Sequence, residues 1–167
     1  MDEKRRRFEA LAMPHLDAAY NLARWLARGD ADDIVQEAML RAFKSFDGFR
    51  GEAVKPWLLA IVRNCHLDAQ RKKHHAARPL EEIGEIAAPG PTPEGEAMDK
   101  GTGRALDRAI AALPQEFREV VLLRELEDMS YREIAAATGA PIGTVMSRLA
   151  RGRALLKAQL EGGGHGL

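Results

Sequence analysis

The chain is poor in features that mark several protein classes, and each shortage excludes something. There is one cysteine, Cys65, so no disulfide can form within the chain, and a reducing compartment is expected. No apolar run reaches membrane-spanning length. The basic start MDEKRRR has no hydrophobic core behind it and reads as a solvated helix start. A cytoplasmic protein without membrane insertion is therefore expected. Glycine-rich phosphate loops and nucleophile–base pairings are missing. Cys65-His66 and His74-His75 lack the spaced second pair of a zinc site, and Asp32, Asp33 and Glu37 have no convergent ligands beside them. An enzyme has little support, and neither a cofactor nor a metal is expected. Aromatic residues are only 5% of the chain while alanine is abundant, which favours an all-α protein.

The formal net charge is zero, from 25 basic and 25 acidic residues, so overall charge does not announce a nucleic-acid partner. Its distribution is more informative. Arg148, Arg151, Arg153 and Lys157 face only Glu161 in the C-terminal stretch, and Arg63, Arg71, Lys72 and Lys73 face Asp68 in the middle. Neutrality is the sum of opposed patches.

The chain is organised around residues 130–160, SYREIAAATGAPIGTVMSRLARGRALLKAQL. Ser130 and Glu133 have the spacing of a capping box, Gly139 suits a left-handed C-cap, and Pro141 suits the first turn of a second helix. In that helix Ile142, Val145, Leu149, Gly152, Leu156 and Leu160 recur at three- and four-residue steps and predict one apolar stripe. Thr144, Ser147, Arg148 and Arg151 point away from it, with Met146, Ala150 and Arg153 on its flanks. Hydroxyls and arginines on the outer face of a packed helix suit a DNA major groove, so a helix-turn-helix is predicted. An amphipathic surface helix with solvating charges is the plainer alternative.

Upstream, a helical face is predicted from Phe8, Leu11, Ala12, Leu16, Ala19, Leu22, Ala23 and Leu26, broken at Pro14, with Asp30 placed to cap the next helix. In residues 30–46, Ile34, Val35, Ala38, Met39, Ala42, Phe43 and Phe46 form a core side. Asp33, Gln36, Glu37, Leu40 and Lys44 form the other, an apolar residue ringed by polar ones, which suits a docking surface as well as a solvated face. Residues 47–55 read as a loop, followed by a helix over 56–75. There Trp57, Leu58, Ile61, Val62, Cys65 and Ala69 are expected inside, with Asn64, Asp68 and Arg71 along another edge. That edge and its basic end suit an unstacked single strand. Residues 76–103 read as an acidic proline- and glycine-rich linker, with a short helix possible near 80–87. Beyond it a helix from Arg104 and another starting at Pro114 supply Phe117, Val120, Val121, Leu123 and Leu126 as the surface for the helix-turn-helix. The tail EGGGHGL is expected to be disordered. The reading is two small helical modules, 1–75 and 104–160, with a linker over 76–103 and a tail over 161–167.

These residues resemble the extracytoplasmic-function (ECF) sigma factors of the sigma-70 family over nearly the whole chain. DADDIVQEAMLRAFKSFDGF is similar to the core-binding helix of region 2. PWLLAIVRNCHLDAQRKK is similar to the promoter-melting helix, and LPQEFREVVLLRELEDMSYREIAAATGAPIGTVMSRLARGRALLK to region 4. The resemblance implies a transcription initiation factor without catalytic chemistry. By it, Asp33, Gln36, Glu37, Leu40 and Lys44 meet the β′ clamp helices of RNA polymerase core, and region 4 meets the β flap. Asn64 lies where a −10 base of the non-template strand is flipped into a pocket rimmed by residues 47–54, with Arg63, Asp68, Arg71 and Lys72 on the same surface. Thr144, Met146, Ser147, Arg148, Arg151 and Arg153 face the −35 duplex, and an anti-sigma factor is the expected regulator. Met146 stands where many relatives carry Lys or Arg, and Arg63 and Asp68 also vary the commoner pattern, which bears on promoter sequence. A conventional helix-turn-helix regulator, binding duplex DNA unaided, remains the alternative.

Overall fold

The computed structural model describes residues 2–50, 53–76 and 102–165. Every regular element among them is helical. The chain divides into two compact units, the first built on the helices up to Ala76 and the second on the bulk of those from Thr102 onward. The helix expected near 80–87 and most of the linker lie outside the described residues.

The first unit contains α1 (Asp2–Ala12), α2 (Leu16–Ala27), α3 (Ala31–Ser45) and α4 (Val54–Ala76), with 3-10 turns Met13–His15, Arg28–Asp30 and Phe46–Gly48 between them. Pro14 sits in the first of these turns, where the helical run was expected to break. α2, α3 and α4 pack against one another. Their shared core includes Leu22, Val35, Leu58, Leu59 and Val62, all essentially without exposed surface. Burying a leucine or valine side chain contributes about 1.5–3 kcal/mol. Leu59 was absent from the expected core. α4 has neighbours on two sides, so its buried face is wider than one stripe, and His66 is buried with it. α1 is attached through Phe8, whose ring meets Phe43 at 5.3 Å and Phe46 at 5.4 Å, both edge-on. Leu11, expected inside, is exposed.

α4 begins at Val54, ahead of the expected Pro56, and Val54 is itself buried. Asp30 occupies the N-cap position of α3, yet its side chain makes no capping hydrogen bond. Its carboxylate pairs instead with Lys73 near the end of α4. A charged partner competes successfully with a backbone N–H for the same oxygens.

The second unit contains α5 (Thr102–Ala111), α6 (Gln115–Val121), a π-helical turn (Leu122–Leu126), α7 (Tyr131–Thr138) and α8 (Ile142–His165). α5 starts two residues before the expected Arg104, and Pro114 precedes α6 as expected. The π turn corrects one expectation. Leu126 is 51% exposed, whereas Leu122 is buried. The Glu127 N–H reaches back five residues to the Leu122 carbonyl at 3.2 Å, and the Met129 N–H reaches the Leu123 carbonyl at 3.1 Å. An extra residue in the turn rotates the downstream side chains out of an ideal 3.6-residue period. The chain leaves the turn through Asp128 at φ 56°, a left-handed position that Asp tolerates better than most side chains.

α8 packs on α6 and α5. Val145, Leu149 and Gly152 are buried as expected, but Ile142 and Leu160 at the ends of the predicted stripe are exposed. The two supporting helices cover only the middle of α8. The helix also continues through Gly162 to His165, where a disordered tail was expected. Extending an existing helix adds one hydrogen bond per residue fixed, without the cost of a new nucleus.

Candidate partner and nucleic-acid interfaces

The first surface lies on α3. Asp33, Gln36, Glu37, Leu40 and Lys44 recur at one-, three- and four-residue steps, so they share a face, and all are exposed. Leu40 is 58% exposed in the middle of this polar ring. Glu37 accepts a hydrogen bond from Arg41 Nε at 3.0 Å, one turn along.

The second surface runs along α4. Asn64, Arg71 and Lys72 are exposed, while Arg63 and Asp68 are half-buried. Asp68 does not present a bare carboxylate. One oxygen accepts from Arg41 Nη1 at 2.8 Å, and the other lies 3.3 Å from Arg71 Nη2. The hydrogen bonds to Asp68 first, then Glu37, push the Arg41 guanidinium pKa further up. Sequence reasoning missed Arg41. Its spacing from Glu37 was visible as an i,i+4 pair, but its partner Asp68 lies on another helix. Cys65 is buried beside this group, and desolvation raises its thiol pKa above the ordinary value.

Part of the expected rim leads into α4. Phe46 stacks on Phe49 with ring planes 10° apart, and Phe49 lies 4.7 Å from Trp57. Arg7 sits over the Phe46 ring at 5.4 Å, and Lys4 lies 4.6 Å from the Phe43 ring and 3.2 Å from Asp47. The aromatic edge is thus bordered by cations from α1. Gly51 and Glu52 of the expected rim lie outside the described residues.

The third surface is the α7–α8 pair. Ser130 Oγ accepts from the Glu133 N–H at 3.0 Å, while the Ser130 N–H donates to Glu133 Oε1 at 2.9 Å, which completes the expected capping box. Gly139 ends α7 at φ 74° and donates its N–H to the Ala135 carbonyl at 2.9 Å. Pro141 precedes α8, and its carbonyl accepts from the Val145 N–H at 3.0 Å. The helix-turn-helix geometry is therefore present in its local details.

Along α8, Met146, Ser147, Arg151 and Arg153 are exposed, and Thr144 and Arg148 are half-buried. Ser147 Oγ donates to the Thr144 carbonyl at 3.1 Å. The Arg151 guanidinium lies 5.8 Å from the Phe117 ring. Arg153 Nε donates to Glu125 Oε2 at 2.8 Å, a bond that pushes the Arg153 pKa up. These two arginines lean toward α6 and the π turn. On the same side, Arg124 Nη1 donates to the Met129 carbonyl at 2.8 Å and its guanidinium lies 5.1 Å from the Tyr131 ring. Neither Arg118, which donates to the Leu113 carbonyl at 3.0 Å, nor Arg124 was singled out from sequence. A basic residue near a helix end carries little sequence signal of such a backbone contact.

Among the described residues no helix is long and apolar enough to cross a membrane. No group of three or more His, Cys, Asp or Glu side chains among them is placed to hold a metal ion.

Mutually packed α2, α3 and α4, with an exposed leucine ringed by polar side chains on α3, and a second unit that carries a helix-turn-helix define the class of the protein. Sigma-70 region 2 matches residues 11–76, and Sigma-70 region 4 matches residues 103–156. The chain is 36% identical over 157 residues to the ECF RNA polymerase sigma factor SigE of Mycolicibacterium smegmatis, covering 92% of this chain and 61% of that relative. It is 34% identical over 150 residues to the ECF RNA polymerase sigma-E factor of Haemophilus influenzae, covering 84% and 79% of the two chains. Among solved structures, the fold matches the sigma factor RpoE in complex with the anti-sigma factor NepR from Bartonella quintana. There the TM-score is 0.80 with 26% identity, over 93% of this chain and 97% of that one. CnrH in complex with the cytosolic domain of CnrY matches at TM-score 0.65 and 26% identity, over 95% and 90% of the chains. The chain belongs to the sigma-70 family of RNA polymerase sigma factors, in its ECF group.

Proposed function

We propose that this protein binds core RNA polymerase in the cytoplasm, carries it to a particular set of promoters and opens them, without catalysing a reaction itself. The observation that carries this reading is the pairing, within one bundle, of the exposed α3 face around Leu40 with the Asn64-bearing edge of α4. In this reading Asp33, Gln36, Glu37, Leu40 and Lys44 dock on the β′ clamp helices. Leu40 supplies the apolar anchor and its polar neighbours supply orientation. The second unit contacts the β flap.

Promoter reading is divided between the units. Arg63, Asn64, Asp68, Arg71 and Lys72 form the −10 surface, with Asn64 beside a non-template base and the cations near phosphates. The half-buried rings of Phe49 and Trp57 offer an unstacked strand a sequence-tolerant contact. A pocket that accepts a base only once it has left the duplex makes recognition and opening one event. Thr144, Met146, Ser147, Arg148, Arg151 and Arg153 face the −35 duplex, where base contacts specify and phosphate contacts position. Because Arg151 and Arg153 are held toward Phe117 and Glu125, they suit phosphates at the groove edge, leaving Ser147 and Arg148 nearer the bases.

An anti-sigma factor is the proposed regulator. Two structural relatives were solved as complexes with such a partner or with the cytosolic domain of another protein, and the exposed Leu40 face is suited to being covered in the same way.

The test is transcription in vitro by core polymerase on a fragmented genomic library, with and without the protein. New discrete transcripts that require it establish the reading, and Asn64→Ala should then lose initiation while retaining affinity for core. If core gains neither activity nor affinity, and the protein alone shifts duplex DNA, it is a conventional helix-turn-helix regulator.

A further inference from the structure

Four side chains form a row of alternating charge across the first unit. Glu37 accepts from Arg41 at 3.0 Å, Arg41 donates to Asp68 at 2.8 Å, and Asp68 faces Arg71 at 3.3 Å. The row starts on the α3 face proposed for polymerase and ends on the α4 edge proposed for the melted strand. It crosses between helices only at the Arg41–Asp68 contact. Arg71, its last member, has the longest contact and a side chain 72% exposed, so it is held most weakly.

We infer that this row couples docking to strand capture, with Arg41 as the positioning residue. The inference rests on the sigma-factor reading of the two surfaces. In the free chain the Arg41 guanidinium is shared between two carboxylates. A polymerase cation that engages Glu37 removes one of them, and the guanidinium passes wholly to Asp68. A carboxylate already neutralised by one guanidinium holds a second less firmly, so Asp68 releases Arg71 to a phosphate of the non-template strand. The forked, planar donor set of arginine can serve two carboxylates at once, whereas a lysine ammonium is a single point charge. Asp68 therefore acts through the cations it holds and not by touching DNA. The coupling is limited by the strength of one exposed ion pair, about two- to fivefold as an equilibrium ratio.

The experiment compares holoenzymes made with the unsubstituted chain, Arg41→Lys, Arg71→Ala and the double variant. Two affinities are measured. One is for core alone; the other is for a fluorescent single-stranded oligonucleotide copied from the non-template strand of a promoter the holoenzyme opens. Arg41→Lys should weaken strand binding about two- to fivefold while affinity for core stays the same, because the single ammonium remains with Glu37 one turn away on α3 and leaves Asp68 holding Arg71. In the Arg71→Ala background Arg41→Lys should have no further effect. A general loss of structure would weaken both affinities together and would persist without Arg71, and either result overturns the inference. Asp68→Asn approaches the row from its centre. It should release Arg71 without docking and raise the free chain's affinity for the oligonucleotide, and a fall would refute the coupling. If the unsubstituted chain forms no complex with core, the sigma reading itself falls and takes the inference with it. That failure is distinguished by not depending on Arg41.

Discussion

A single methyl group added at Gly152 should weaken the second unit, although the same change elsewhere in α8 should not. An ideal Cβ at Gly152 would lie 2.8 Å from Val121 Cγ2 and 3.5 Å from Phe117 Cβ. Carbon atoms rest at about 3.5–4.0 Å, so Val121 or its helix must retreat by about 0.7 Å or more. Val121 is buried and β-branched, and a β-branched side chain in a helix has essentially one rotamer, so the strain passes to the α6 backbone. Overpacking of this kind costs about 1–3 kcal/mol. Replacing glycine by alanine within a helix returns up to about 1 kcal/mol. The net expectation for Gly152→Ala is a loss of about 0–2 kcal/mol. Gly143, in the first turn of the same helix, has nothing within 4 Å of an added Cβ, so Gly143→Ala should gain up to about 1 kcal/mol. Chain position makes the assay selective. Both tryptophans, Trp25 and Trp57, belong to the first unit, so their fluorescence reports on that unit while far-ultraviolet circular dichroism reports on both. For a module of this size each kcal/mol moves Tm by about 4–8 °C. Gly152→Ala should lower the dichroism transition relative to Gly143→Ala and leave the tryptophan transition in place. The reasoning fails if the Gly152 variant is as stable as the Gly143 variant, or if the tryptophan signal moves with it.

Three further outcomes are expected. Ser130→Ala removes one half of the capping box and should cost about 1 kcal/mol in urea denaturation, with Ser130→Gly costing less. Leu40→Ala should leave stability within about 0.5 kcal/mol, since the side chain is largely exposed, yet weaken core binding by tenfold or more, about 1.4 kcal/mol; unchanged affinity would remove Leu40 as the anchor. Cys65 should resist a water-soluble maleimide until the chain unfolds, because its thiol is buried and its pKa raised by desolvation. Above the ordinary thiol pKa the unfolded state loses a proton that the folded state keeps. Stability should therefore fall as pH rises through that range, and Cys65→Ser or Ala should flatten the fall.

Much of the fold was legible because the deciding interactions are local. The capping box at Ser130 and Glu133, the left-handed Gly139 and the break at Pro14 each depend on residues within a few positions of one another. The outward face around Leu40 was legible for the same reason, since helical spacing alone collects it. Interactions that cross between helices were not. Asp68 was placed on the strand-facing edge of α4, but its pairing with Arg41 on another helix was not visible, and Asp30 was read as a cap, whereas Lys73 claims its carboxylate. Leu126 was assigned to the core by counting an ideal period. The hydrogen bond from Glu127 to the Leu122 carbonyl widens that turn, and no residue type announces such a shift.

The length of α8 sets a gradient along its own backbone. Its 24 residues extend about 36 Å at 1.5 Å per residue, and only the part around Val145, Leu149 and Gly152 is buried. From Lys157 to Gly162 every residue is exposed, and the helix continues into a run of glycines. Each residue there adds a hydrogen bond but no packing, and glycine is the poorest helix former after proline, so this end of the helix frays readily. Amide protons should therefore exchange with deuterium slowest near Leu149, faster at each turn beyond Leu156, and within the glycine run at nearly the rate of an unstructured peptide. The end of α8 is a reservoir of helix that a partner could order at little cost or unwind at little cost.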